Sequence, residues 1–404
     1  MDADTARLLL DAGLPLLGQV PDYDEADALA LGTRLRRAGH SPELVAAVLT
    51  QARLRERARP KFGALAERML FTPDGLEQST RRGVADLHAA RFADAGISTV
   101  HDLGCGLGAD SQAFARAGLA VEAVDADEAT ALLAAHNTST PVTGHPAAQV
   151  AHARAEDVPL APDAAAWFDP ARRTPGRTDA TGRTRRTFRL EDMAPTWQHV
   201  LAVAEKHATG AKLSPAFPHA ERPEGSEAQW VSVEGDLVEC VVWWGLARTS
   251  GRVATLLVGD DVVEVTEADA PHVPVGALDP AAGLSLHEPD LAVLQAGLVG
   301  ALAAATDGSE LAAGVGYVVS DSTLDLPYAR RFTITDVLPP HPKVVKAWLR
   351  QRDITGATIK RRGGRQDPEE FRRRIGLGTK GGDQATLLLT DGPGGPVCLV
   401  LSRE

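Results

Sequence analysis

The chain has 404 residues, with 42 Lys and Arg against 54 Asp and Glu, for a formal net charge of −12. That length predicts two or three domains, and 44% hydrophobic with 24% charged residues excludes a disordered or fibrous chain. No apolar run reaches the roughly 18–20 residues of a membrane-spanning helix. The start, MDADTARLLLDAGLPLLG, is acidic where an export signal is basic. Cys105, Cys240 and Cys398 are too scattered for a disulfide framework or a CxxC metal pair, and the twelve histidines show no HxxxH or HExxH spacing. A cytoplasmic protein with no metal site is expected.

Residues 1–92 read as a helical region. Leu44, Val45, Val48 and Leu49 recur at helical spacing, and Ser41-Pro42-Glu43 is a start signal with Pro in the first turn. A further helix is predicted from Pro73 to Ala95. From Ser98 the period changes. Thr99–Leu103 is a short strand ending in Gly104-Cys105-Gly106-Leu107-Gly108, followed by a helix over Asp110–Ala117 and a second strand, Ala120–Asp125. Strand, helix and strand at this pitch predict a parallel α/β sheet. Further strands fit at Ala164–Asp169 and Ala211–Ser214. Val238–Trp244 and Val253–Val258, joined through Thr249-Ser250-Gly251, are expected as an antiparallel hairpin closing the sheet.

Asp260–Pro280 reads as a linker, and Pro289–Ala305 as a helix. Strands at Arg331–Val337, Ala357–Arg361, Thr386–Thr390 and Val397–Ser402 then alternate with helices at Pro342–Gln351 and Pro368–Ile375. The expected divisions are a helical region 1–92, a cofactor domain 93–262, a linker and helical connection 263–328, and a basic α+β module 329–404.

Glycines let the loop after the first strand turn sharply, and the following helix offers free N–H groups to a ligand. About 20 residues on, Asp125 ends the second strand, where a carboxylate can accept the hydroxyls of a ribose. Gly104-x-Gly106-x-x-Ala109 also passes as a dinucleotide fingerprint. Asp102 argues against it: an acid two residues before the first glycine sits badly beside a pyrophosphate and well beside an ammonium. A tight turn that binds nothing is the plain alternative.

VHDLGCGLGAD followed by VEAVDAD closely resembles motif I and the next strand end of class I S-adenosylmethionine-dependent methyltransferases. The resemblance implies a Rossmann-like sheet and S-adenosylmethionine as cofactor. Asp102, Gly104, Cys105, Gly106 and Gly108 would then line its methionine portion, with Asp125 and the adjoining Ala126 at its ribose. Ala155-Glu156-Asp157 resembles the loop contacting the adenine amine, with Glu156 or Asp157 as acceptor; Arg154 stands where many members have an acid.

Trp167-Phe168-Asp169-Pro170-Ala171-Arg172 resembles the Asp-Pro-Pro-aromatic signature of nucleic-acid amino methyltransferases, with Ala171 for the second proline and Arg172 for the aromatic. Arg in that place resembles the variant found in several RNA methyltransferases. Proline stiffens the turn, so the Asp169 carboxylate and the Pro170 carbonyl would present fixed acceptors to an amine beside the methyl donor. Neither Cys240, after Glu239, nor Cys105 has the context of a pyrimidine-C5 nucleophile, so a nitrogen target is expected. Leu76–Thr80 with His88 and Arg91 resembles a helix found in related sequences and is either a cover over the cofactor pocket or, equally, an amphipathic helix with a polar face. Trp243-Trp244 is either a base-stacking pair or, more simply, core.

Charge is unevenly spread. Arg330–Lys380 holds 14 Lys and Arg against 5 Asp and Glu, a net of +9, which leaves −21 for the rest. Residues 329–404 resemble a THUMP-like domain, named after an RNA-binding module. Lys360, Arg361, Arg362, Arg365, Arg372 and Arg373 are the candidate phosphate contacts. The expected function is methylation of a base nitrogen in structured RNA, tRNA or rRNA. A small-molecule or protein methyltransferase, or a non-catalytic cofactor-binding RNA-binding protein, are the alternatives. Oligomeric state stays open.

Overall fold

The computed structural model describes residues 1–20, 23–139, 147–172, 190, 193–246, 248, 251–364, 366–376 and 384–402. They form two compact units, Met1–Ser214 with Val241–Arg248, and Pro215–Cys240 with Thr249–Glu404. No described helix is long and apolar enough to cross a membrane.

The first unit opens with helices, the longest being Pro42–Phe62. It starts where the sequence places it: Ser41 caps the Leu44 N–H through its hydroxyl at 3.2 Å, with Pro42 in the first turn. Its apolar face buries Leu44, Val45, Val48, Leu54 and Phe62. The helix expected over Pro73–Ala95 is instead two, Pro73–Gln78 and Arg82–Asp94. The Lys61 ammonium takes up the carbonyls of Leu76 and Glu77, both at 2.7 Å, and of Ser79 at 3.2 Å, which closes the first helix. Ser79 then turns to extended backbone.

Strands β1 (Thr99–Leu103), β2 (Ala120–Asp125), β3 (Gln149–His152) and β4 (Ala165–Phe168) follow. After the short pair β5 (Ala171–Arg172) and β6 (Met193–Ala194) comes β7 (Thr209–Leu213). The order β7-β4-β1-β2-β3 is parallel throughout, as the strand–helix–strand rhythm requires. β3 escaped the sequence reading, since its four residues alternate little and none is fully buried.

Trp167 and Trp243 meet in the core with ring centroids 5.6 Å apart, and Phe92 and Phe114 pack edge-on against Trp167. Trp243 and Trp244 are both buried, so the tryptophan pair is core.

In the second unit, β8 (Glu227–Val233) turns at Glu234-Gly235, both at positive φ, into β9 (Asp236–Trp244), whose last four residues count with the first unit. β10 (Arg252–Val258) pairs parallel with β8 and antiparallel with β11 (Asp261–Thr266). This corrects the expected hairpin between Val238–Trp244 and Val253–Val258, because β8 lies between those strands. The hairpin signal was Glu234-Gly235, upstream of the expected turn.

Residues 263–328, expected as a linker and helical connection, contain the end of β11 and strands β12 (Ser285–Pro289), β13 (Ser309–Glu310) and β14 (Val318–Ser320). The helix expected at Pro289–Ala305 is split into Leu291–Gln295 and Val299–Thr306 where Gly297 takes φ +69°. β15 (Ala329–Leu338), β16 (Gly356–Arg361), β17 (Gln384–Gly392) and β18 (Gly395–Ser402) complete a seven-stranded sheet ordered β13-β14-β12-β15-β18-β17-β16. Helices Pro342–Gln351 and Pro368–Ile375 fall at the expected bounds.

A Cβ at Gly210 of β7 would lie 2.5 Å from Trp243 Cζ3 and 2.8 Å from Trp167 Cε3. Gly210→Ala is therefore expected to cost roughly 1–3 kcal/mol by overpacking, read as a lower urea midpoint at unchanged slope.

Candidate functional site

The loop from Gly104 to Gly108 joins β1 to the helix Ala109–Arg116. Gly104, Gly106 and Gly108 take φ of +105°, +53° and +80°, a region side chains rarely adopt. Contacts set two of them further. A Cβ on Gly104 would sit 3.1 Å from the Asp169 carbonyl oxygen, and one on Gly108 would sit 2.8 Å from Thr138 Cγ2. Nothing lies within 4 Å of the same position on Gly106. Between them Leu107 is buried, and the Asn137 amide donates to the Leu107 and Leu70 carbonyls at 2.9 and 3.0 Å.

Carboxylates converge on this loop. Asp102, near the end of β1, is wholly buried and accepts a short hydrogen bond from the Ser111 hydroxyl through Oδ2. Its Oδ1 is buried without a partner among the described residues. Burial and the nearby Asp110 push its carboxyl well above the usual range. Asp125 ends β2 and accepts from the Gly106 and Asp127 N–H groups at 3.0 and 2.9 Å. Burial raises its pKa too, against those two bonds. An unpartnered buried acceptor and an excess of raised carboxylates fit a cationic, hydroxyl-bearing ligand such as S-adenosylmethionine.

Asp169 follows β4 directly, with Pro170 next in the chain. It receives a partner that sequence reading missed: Lys212 Nζ of β7 lies 2.8 Å from Asp169 Oδ2 and 3.0 Å from Thr80 Oγ1. The Thr80 hydroxyl donates to Asp110 Oδ2 at 2.7 Å, and His88 Nδ1 lies 2.8 Å from Asp110 Oδ1. Burial resists ionisation of Asp110, but the His88 bond, Lys212 and Thr80 outweigh it and hold the carboxyl below its usual value. The chain Asp169–Lys212–Thr80–Asp110–His88 thus ties the Leu76–Thr80 segment to the Asp-Pro turn. The signal for Lys212 was a lysine inside an otherwise apolar strand.

The third strand end is held near β2 by the Ala153 N–H, which donates to the Asp125 carbonyl at 3.1 Å; His152 Nε2 lies 3.2 Å from the Ala126 carbonyl. Glu156 is half-buried, 3.6 Å from Arg154, and Asp157 is exposed. Burial pushes the Cys105 and Cys240 thiols well up, which leaves neither as a ready thiolate.

In the second unit the basic candidates divide. Lys360 pairs with Glu288 and lies 4.8 Å from the Phe332 ring centroid. Arg362 stacks 4.6 Å from the Tyr317 ring centre, and its Nη2 is 3.8 Å from Glu288. Arg372 donates to the Ala357 carbonyl at 2.8 Å. Arg361 and Arg373 are exposed, and Arg365 lies outside the described residues.

Residues 329–403 match the family model described as THUMP domain-like, and residues 2–58 match that of a domain of unknown function, DUF8688. No curated protein matches the sequence. Among solved structures, a protein of Porphyromonas gingivalis W83 assigned as a methyltransferase aligns over 94% of this chain and 99% of its own, with TM-score 0.69 and 21% identity. The magnesium protoporphyrin IX methyltransferase of Synechocystis PCC 6803, solved with bound S-adenosylmethionine, aligns over 45% of this chain and 85% of its own, with TM-score 0.30 and 14% identity. That score adds nothing to the assignment. The chain has the α/β fold of the Porphyromonas protein over nearly its whole length, with a THUMP-like module at its C-terminal end.

Proposed function

We propose that the protein is an S-adenosylmethionine-dependent methyltransferase acting on a base nitrogen of structured RNA, tRNA or rRNA, in the cytoplasm. The observation that carries the reading is the buried Asp102 carboxylate, with one oxygen unpartnered beside a loop of three positive-φ glycines. Asp102 would accept the ammonium of the cofactor, Gly106 leaves room for it, and Asp125 and Ala126 would adjoin its ribose. Glu156 or Asp157 would take the adenine amine. When bound, the cofactor supplies a methyl group activated on a sulfonium.

The protein then has to place an amine in line and accept its proton. The Asp169 carboxylate, beside the glycine loop, is the acceptor, and the Lys212 ammonium 2.8 Å away holds it in place. The Pro170 carbonyl is the second acceptor. The cofactor would supply its sulfonium methyl to the amine nitrogen and keep the S–CH3 bonding pair, and Asp169 or water would take the proton that the nitrogen sheds. The THUMP-like match and the net +9 of Arg330–Lys380 support RNA as the acceptor, with Arg361, Arg365 and Arg373 as phosphate contacts. Lys360, Arg362 and Arg372 contribute mainly to the packing of the second unit.

Tritiated S-adenosylmethionine, incubated with undermodified total RNA and followed by digestion to nucleosides, is expected to label a modified base. Label confined to protein or metabolites would select the small-molecule or protein alternative. Asp169→Asn is expected to leave cofactor binding intact and lower turnover by about 10²–10⁴-fold; unchanged turnover removes Asp169 from the chemistry.

Cofactor binding should also release a proton. The folded pKa of Asp102 is raised, so the free protein retains a proton there as pH rises, and a bound cation lowers that pKa and expels it. The binding enthalpy is therefore expected to vary with the ionisation heat of the buffer. Asp102→Asn should remove that variation and weaken binding by about 10–100-fold. Affinity indifferent to this change would place the cofactor elsewhere.

A further inference from the structure

The Lys212 ammonium of β7 sits among three oxygens: Asp169 Oδ2 at 2.8 Å, Thr80 Oγ1 at 3.0 Å and the Gln78 carbonyl at 3.5 Å. The Thr80 hydroxyl gives its own proton to Asp110, so it meets Lys212 with a lone pair and the ammonium donates. The charge is therefore fixed in place beside the Asp-Pro turn. The Lys212 side chain is 14% exposed and that of Asp169 34%, which makes the carboxylate the more accessible partner. Further cations stand nearby. Burial, and then the charges of Lys212 and Arg81, pull the Lys61 pKa down to about 8 against the effect of Glu77.

This arrangement bears on which nitrogens can reach the methyl group. An aliphatic amine titrates near pH 10.4, so at pH 7 only about one in two thousand carries a lone pair. The rest arrive as ammonium ions. A carboxylate standing alone would gather such ions, but Asp169 and Lys212 together carry no net charge. A conjugated amino group, such as one on a nucleobase, is uncharged at pH 7 and needs only a hydrogen-bond acceptor. Asp169 still provides one.

We propose that Lys212 determines the acceptor class: its charge cancels that of Asp169 and restricts methyl transfer to uncharged nitrogens. Protonated aliphatic amines, the side chain of a protein lysine among them, are turned away by an ammonium already in place. The proposal rests on the reading of Asp169 as the group that meets the acceptor.

The test uses two cofactor analogues that differ at the transfer position. S-adenosylhomocysteine is uncharged at its sulfur, whereas sinefungin places an ammonium where the methyl group stands. Calorimetric titration of the full chain gives the ratio of their affinities. Lys212→Met is expected to raise the preference for sinefungin about tenfold, Lys212→Arg to leave it unchanged, and Asp169→Asn to lower it. Should Lys212→Met fail to fold, Lys212→Gln, which keeps a donor toward Asp169 without the charge, reads the same preference. A ratio that Asp169→Asn lowers but the uncharged Lys212 variants leave alone overturns the role of Lys212 and keeps Asp169 at the acceptor. A rise in Lys212→Arg as large as in Lys212→Met assigns the effect to shape and overturns it too. A ratio unmoved by every variant takes Asp169 away from the transfer position, and the proposal falls with that reading.

Discussion

The Leu107 side chain is inserted beneath the helix Pro73–Gln78, so closely that a Cβ on Gly75 would lie 2.8 Å from Leu107 Cδ1. With its side chain anchored in the core shared by the N-terminal helices and its carbonyl held by Asn137, the loop between Gly104 and Gly108 has little freedom left. The same loop carries the three positive-φ glycines, the open space at Gly106, the approach of Asp169 to Gly104 and the start of the next helix at Ala109.

The same region concentrates negative charge. Asp102, Asp110, Asp125 and Asp169 lie close enough to influence one another, and Asp110 and Asp169 are answered from the protein, by His88, Thr80 and Lys212. Asp102 and Asp125 are left with raised pKa values. Asp110 and Asp169 are thus held by partners next to the Asp-Pro turn, while Asp102 keeps one oxygen without a partner among the described residues.

The sequence made the parallel sheet legible because strand, helix and strand each carried a strong local period from Thr99 to Asp125, and because the glycine cluster sat at a strand end. Asp102, Asp125 and Asp169 are legible as strand-end acids for the same reason, since the motifs place them there. Lys212 is not, since its contact with Asp169 comes from a strand some forty residues beyond β4 that lies next to it in the sheet. The break at Ser79 was hidden because its cause, Lys61, lies on another helix. Lys360 and Arg362 read as phosphate contacts, and only the fold reveals Glu288, Tyr317 and Phe332 against them. Local pattern shows elements, whereas partners supplied from afar decide which charges are spare.

The chain leaves the first unit at Ser214 and supplies Val241–Arg248 to it again. Trp243 of that return packs against Trp167, Phe92 and the His88 ring. During synthesis, domains generally fold as units from the N-terminus onward. Here the aromatic core stays incomplete until the ribosome has released Trp243, by which time β8 and most of β9 are already made. The two units are therefore interleaved in translation, and a ribosome stalled before Trp243 holds a nascent sheet whose central tryptophan contact is missing.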